Sequence, residues 1–397
     1  MSPHFRISAL IVASIFLASP AKTEEPITSE HISEHQERLF NRMHVCEAWE
    51  TTKGSPDVVI GVIDNGFDFF HPDLKGQVLP GYYYSGGYHS EFYENVSHGT
   101  LVSSIMVAKD DGSGMIGLAP TCRVLAASQG MIEHALVKLR REFYEGNPEA
   151  QESDFQQEIV KHSAEVQQFG ARWVNYQVEG AAEAIHYLVD QGVKVINISG
   201  FLSRALCPDK DSWKKLEDAF QHAADKNVVI VTSAGNHATE VEDYPGSSAN
   251  VLVVGATLSD DSRWETEIEL RGSRIKQGSC FGRRLSVMAP VEGLAVCVPH
   301  DDSIYRRKDS PMGPTNVPFS GIHKIAPNGA TSSAAPIVFA LVALVRSVRP
   351  DLDAKTVVNL VQDGSTTSVT KGYDELTGHG RVDFAETIRL ALAFEEG

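Results

Sequence analysis

Short, continuous apolar runs alternate along this chain with longer stretches of helical period. The runs at 58–63, 193–198, 228–232 and 251–254 lack the in-and-out alternation of a half-solvated strand. They therefore predict strands of a parallel sheet covered on both faces. Between and after them, apolar residues recur at helical spacing over 98–108, 180–190, 212–226, 332–348, 354–362 and 383–394. Strands alternating with helices predict an α/β fold: a doubly wound, mostly parallel sheet with helices on both faces and right-handed crossovers. At 397 residues and 42% hydrophobic, the chain can bury a large core, and a single domain accounts for its length.

Three stretches depart from that rhythm. Residues 1–21 hold one basic side chain (Arg6), an apolar run from Ile7 to Ala18, then Ser19-Pro20-Ala21. The run is too short to cross a bilayer and reads as a secretory signal. The mature chain is then expected to be secreted or periplasmic, with no membrane span. Residues 22–42 are polar, with Glu24, Glu25, Glu30, Glu34 and Glu37, and are expected to be dispensable for activity. Residues 131–172 form a helical insertion, Ile132–Tyr144 and Asp154–Phe169 being amphipathic and split at Gly146-Asn147-Pro148. Its charge run reads as a solvated face; the functional alternative is a flap over a cleft or a partner-docking surface.

Charge and cysteines narrow the class. Thirty-five basic against 52 acidic side chains leave a net −17, which argues against nucleic acid or anionic membranes as partners. Asp110-Asp111-Gly112-Ser113-Gly114 offers oxygen ligands for calcium but lacks the spacing of an EF-hand loop, so an acidic turn is the favoured reading. The five cysteines (Cys46, Cys122, Cys207, Cys280 and Cys297) lack zinc-type pairing along the chain; in an exported protein they allow up to two disulfides. No metal and no cofactor is required on this reading, and a monomer is expected.

Candidate chemistry begins at Asn328-Gly329-Ala330-Thr331-Ser332-Ser333-Ala334-Ala335-Pro336, which opens the apolar run to Val348. Serine before such a run is most often a helix N-cap. Proline inside the predicted helix, however, removes a donor and crowds the carbonyl of Ser332. A helix built only to fill a core would avoid this. Earlier, the strand 58–63 runs into Asp64-Asn65-Gly66, and Ser97-His98-Gly99-Thr100 opens a helix. Alone, Asp64 reads as a turn aspartate and His98 as a capping or surface histidine. Together, Asp, His and Ser in that order supply nucleophilic hydrolysis. The serine needs a base to take its proton, histidine has the pKa for it, and the aspartate orients the imidazole.

These segments resemble the subtilisin-like serine proteases. Asp64 falls in the family's Asp-x-Gly segment, His98 in its His-Gly-Thr segment and Ser332 in its Gly-Thr-Ser-x-Ala-x-Pro segment. Ala234-Gly235-Asn236 follows the strand 228–232 as in that family, which implies that Asn236 binds the developing oxyanion. Weaker matches include His71-Pro72-Asp73-Leu74, Gly117-Leu118-Ala119-Pro120 before a strand, and Ser286 to Pro290. The resemblance spans roughly 43–393 and implies a peptidase domain over 43–397, with Ser199, Gly200 and Gly235 as substrate-binding positions. Departures are Leu101, Phe201, Ala330 and Ser333, where the family prefers histidine, glycine, glycine and methionine. What this implies is an exported serine endopeptidase of protein or peptide substrates. The alternative is a pseudoprotease that binds peptides or a protein partner through the same cleft.

Overall fold

The computed structural model describes residues 29–84, 97–129, 163–200, 209–240, 250–270, 273–298, 323–366 and 372–395, with scattered positions from 143 to 162. The signal-like segment, half of the insertion, Phe201 and Cys207 lie outside the described residues. The described helices are α1 (Ser29–Arg42), α2 (Val45–Trp49), α3 (Ser97–Val107), α4 (Ser163–Asp190), α5 (Lys210–Asp225), α6 (Thr331–Val348), α7 (Ala354–Asp363) and α8 (Phe384–Ala393). The strands are β1 (Val59–Asp64), β2 (Val78–Tyr83), β3 (Arg123–Ser128), β4 (Val195–Ile198), β5 (Val229–Ser233), β6 (Val251–Thr257), β7 (Glu265–Leu270), β8 (Ser273–Gly278), β9 (Val287–Pro290), β10 (Glu292–Cys297) and β11 (His323–Asn328).

Seven strands form one sheet in the order β2-β3-β1-β4-β5-β6-β9, every neighbouring pair parallel. The apolar runs are continuous because alternate residues feed two different cores. Ile60 and Val62 of β1, Val229 and Val231 of β5, and Leu252 and Val254 of β6 pack on the face that holds α6. Ile63, Ile230, Val251 and Val253 point the other way, toward Ile185 and Leu188 of α4 and Leu216 and Phe220 of α5. Both faces are therefore dry, as the lack of alternation predicts. Among the described residues α6 is the one helix long and apolar enough to cross a membrane, and it is the buried core helix of this face.

The helix expected at 180–190 begins instead at Ser163 and runs 28 residues. Gly180 does not break it. A Cβ there would lie 2.1 Å from the Gln129 carbonyl oxygen, so the glycine lets the helix approach the chain leaving β3. The end of the insertion is thus continuous with a core helix. Two antiparallel pairs, β7–β8 and β10–β11, stand outside the main sheet.

Residues 29–42 are not a loose tail. Ile32, Gln36 and Phe40 share one face of α1 and are buried, while Glu34 and Glu37 face out. Gln36 exchanges two hydrogen bonds with the Ile116 backbone, and Phe40 meets Trp49 edge-on at 5.1 Å. Arg42 reaches the carbonyl of Leu258 and the carboxylate of Asp261. This docking argues against the dispensable segment expected from composition. Phe40→Ala should lower unfolding stability by about 3 kcal/mol, read as a shifted denaturation midpoint. Deleting 29–42 should yield no cooperative unfolding transition. A deletion variant as stable as the full chain would refute this.

The cysteine expectation also changes. Cys46, Cys122, Cys280 and Cys297 are all free thiols, three of them buried, so no disulfide joins the described cysteines.

Candidate active site

Three strands end side by side at the carboxyl edge of the sheet. β1 ends in Asp64, β4 runs into Ser199 and Gly200, and β5 runs into Ala234, Gly235 and Asn236. From β1 the chain continues to β2 and β3 on one side, whereas from β4 it continues to β5 on the other. The crevice of a doubly wound sheet opens where the connections part in this way.

Asp64 is buried, and its Oδ1 accepts the Asn65 backbone N–H at 2.7 Å. His98 is the second residue of α3. Its Nδ1 lies 2.9 and 2.8 Å from the two Asp64 carboxylate oxygens. A carboxylate only accepts, so Nδ1 carries the proton and Nε2 is left with its lone pair. Burial alone would lower the His98 pKa, but the negative charge of Asp64 and its hydrogen bond outweigh that and raise it above the ordinary 6.5. Gly99 explains how α3 comes so close. A Cβ there would meet the Gly66 carbonyl oxygen at 2.2 Å. The Asp68 N–H bonds Thr100 Oγ1 at 2.8 Å, which ties the same turn to the loop leaving β1.

Ser332 is the second residue inside α6, and its side chain is half-buried. The N-cap is Ala330, which has extended backbone and no capping hydrogen bond from its side chain. Ser332 is therefore not the cap that a serine before an apolar run usually is. The partial positive charge of the helix N-terminus gathers around it. Pro336, four residues on, has no N–H to offer the Ser332 carbonyl.

The first N–H of α6 is satisfied from another element. Asn236 Oδ1 accepts the Thr331 N–H at 3.0 Å and the Thr331 hydroxyl at 2.7 Å. Thr331 Oγ1 in turn accepts the Gly235 N–H at 3.2 Å. A backbone N–H can only donate, so Oδ1 must be the atom facing Thr331, and the Asn236 amide nitrogen faces away from it. Asn236 is thus fixed against the residue preceding Ser332. Asp64 ends β1 and Asn236 follows β5, two strands with only β4 between them, about 10 Å apart by ordinary strand spacing. Thr331 is the residue that sequence reasoning left without a role. It stood inside the quoted motif, but only its partner on β5 reveals the task.

Of the other positions, Ser199 is buried and its hydroxyl accepts from Asn197 Nδ2 at 2.8 Å, so its side chain turns inward. Gly200 has open space where a Cβ would stand, and its carbonyl oxygen lies 3.5 Å from the Ser233 hydroxyl. Gly235 uses its N–H on Thr331 and its carbonyl on the Cys280 N–H, 2.9 Å away. Its backbone groups thus hold Asn236 in place. Leu101 and Ala330 both pack partly buried against the core. In the acidic turn, Asp110 pairs with Lys53 at 2.6 Å, and Asp111 accepts from both the backbone N–H and the hydroxyl of Ser113. Those are the contacts of an ordinary Asx turn.

Comparison with known proteins bears on the family and the fold. The family model described as the subtilase family matches residues 55–380. The chain is 25% identical over 400 residues to fervidolysin of Fervidobacterium pennivorans, covering 95% of this chain and 48% of that protein. It is 27% identical over 384 residues to Mycosin-4 of Mycobacterium tuberculosis, covering 92% and 73%. The chain spans about half the length of fervidolysin and of the Bacillus thermophilic serine proteinase it also matches. Among solved structures, the MycP3 protease from the type VII (ESX-3) secretion system superposes with a TM-score of 0.60 at 21% identity, covering 88% of this chain and 87% of that one. At that identity the likeness speaks to the fold.

Proposed function

Because this chain belongs to the subtilase family, we propose that it is an exported serine endopeptidase that hydrolyses protein or peptide substrates through an acyl-enzyme. Ser332 Oγ attacks the scissile carbonyl, and His98 Nε2 takes the hydroxyl proton and returns it to the leaving amine. Asp64 holds the imidazole and stabilises the imidazolium. The Asn236 amide and the Ser332 backbone N–H donate to the oxygen that becomes negative. Water then attacks the ester, with His98 again as base. Ser199 and Gly200 offer backbone partners for an extended substrate that pairs as an added strand. The chemistry needs no cofactor, and the chain acts as a monomer. Export rests on the apolar segment Ile7–Ala18 and the small residues after it.

The observation that carries this reading is the double contact of His98 Nδ1 with the Asp64 carboxylate, because it leaves the Nε2 lone pair to serve as base. The pH profile tests it. Protonated His98 cannot accept from Ser332, and its pKa is raised, so kcat/KM for a peptide substrate should fall as pH drops through a midpoint above 6.5. In Asp64→Asn the midpoint should move down, with a loss in rate on the order of ten-thousandfold. A profile that stays flat well below 6.5 would remove His98 as the base.

A further inference from the structure

A second cluster of chemistry-bearing side chains lies outside the proposed catalytic site. His71, Cys297 and His323 each offer one ligand atom, and these atoms all lie within 4.8 Å of one another. His71 and Cys297 are fully buried, whereas the His323 side chain keeps 14% exposure and is the most exposed of the three. Two segments build the cluster. Cys297 and His323 are directly paired across the antiparallel β10–β11 ladder, so their side chains leave the same face of that pair. His71 comes from the loop after β1, where its Nδ1 accepts the Asp73 N–H at 3.2 Å.

Asp73 joins the group. Its Oδ2 lies 2.6 Å from His323 Nε2 and 3.8 Å from Cys297 Sγ, and it accepts the Met115 N–H at 3.0 Å. Two imidazoles and a thiol are donors of the kind a zinc site uses, and the Asp73 carboxylate stands beside two of them. A thiolate and a carboxylate would together balance a divalent cation in a buried place, where uncompensated charge is costly. Carboxylates that hold a ligating histidine in position are a regular part of such sites.

We propose that His71, Cys297 and His323, supported by Asp73, bind one zinc ion. The ion is structural and takes no part in the proposed hydrolysis. Its place in the fold gives it a purpose. His71 stands seven residues after Asp64 in the loop leaving β1, and His323 opens the strand that runs through Asn328 into Thr331 and Ser332. Zinc would therefore fasten the segment that leaves the aspartate to the segment that delivers the serine. The Cys297 N–H already bonds Ser104 Oγ of α3 at 3.0 Å, so the helix carrying His98 is joined to the same point.

The test uses the full chain carrying Ser332→Ala, so that self-cleavage does not interfere and the outcome is independent of the proposed activity. The protein is stripped with a chelator and titrated with zinc against a chromophoric competitor. One equivalent per chain is expected, with a rise in melting temperature. Cobalt(II) in its place should give a thiolate-to-metal absorption band that Cys297→Ser abolishes. His323→Gln, at the partly exposed ligand, should weaken zinc binding at least tenfold while the chain stays folded. No stoichiometric binding by the folded chain would overturn the proposal. So would unchanged binding in Cys297→Ser and His323→Gln, which would leave an ordinary hydrogen-bonded polar cluster.

Discussion

Replacing Ser332 with alanine is expected to lower kcat for a peptide substrate by on the order of a millionfold, with the fold intact. Removing the serine or histidine of a triad of this kind costs about that much, because the members act as a unit. What survives is the contribution of the oxyanion donors and substrate binding. The structural cost should be small. Ser332 is half-buried at the second position of α6 and is not the residue that caps it, so no capping bond is lost. Alanine also suits a helix well. Unfolding midpoints measured beside the kinetics should agree within the usual scatter for a tolerated substitution. A Ser332→Ala chain that kept a measurable fraction of wild-type turnover would move the nucleophile elsewhere.

Asn236 supports the second large effect. Asn236→Leu should cost roughly a hundredfold to a thousandfold in kcat, the usual loss when one oxyanion donor is removed. Asn236 has a second task, because its Oδ1 also accepts the Thr331 N–H and hydroxyl. Leucine would leave a buried donor without its partner, a penalty of about 1–3 kcal/mol in stability. Asn236→Asp separates the two tasks. Its carboxylate still accepts from Thr331, so stability should be largely kept. It donates nothing to the oxyanion and places a like charge beside it, so kcat should fall at least as far as in the leucine variant. If aspartate restored both stability and rate, the asparagine would serve only to hold the helix start.

Much of the catalytic framework was legible from pattern alone. The strands bearing Asp64 and Asn236 and the helices bearing His98 and Ser332 fall within one or two residues of their expected limits. They were legible because each is buried on both faces or carries a long apolar run, so burial and sequence agree. The α1 helix was missed because Glu30, Glu34 and Glu37 are as numerous as its buried residues; only the spacing of Ile32, Gln36 and Phe40 marks the docked face. The long α4 helix was read as two segments, 154–169 and 180–190, because the close approach of Gly180 to Gln129, which fixes the helix against the chain leaving β3, is not visible along the chain.

The β7–β8 pair carries polar, weakly patterned sequence and owes its place to its own pairing, whereas the apolar Leu294, Ala295 and Val296 of β10 sit in the core and its partner strand lies far along the chain. The same reason hid the His71–Cys297–His323 cluster. Zinc spacing was sought along the chain, whereas these ligands meet through strand pairing and a loop more than two hundred residues away. Thr331 belongs to this class too, since its role is set by a partner 95 residues earlier.

The most direct measurement is intact-mass labelling of the folded full chain with a fluorophosphonate, with Ser332→Ala as control. A single adduct, located on the peptide that contains Ser332 and absent from the control, is the predicted result. It would establish a serine activated by its surroundings. No adduct from a folded wild-type sample, or an adduct that persists in Ser332→Ala, would contradict the assignment of nucleophile and base and leave a cleft that only binds.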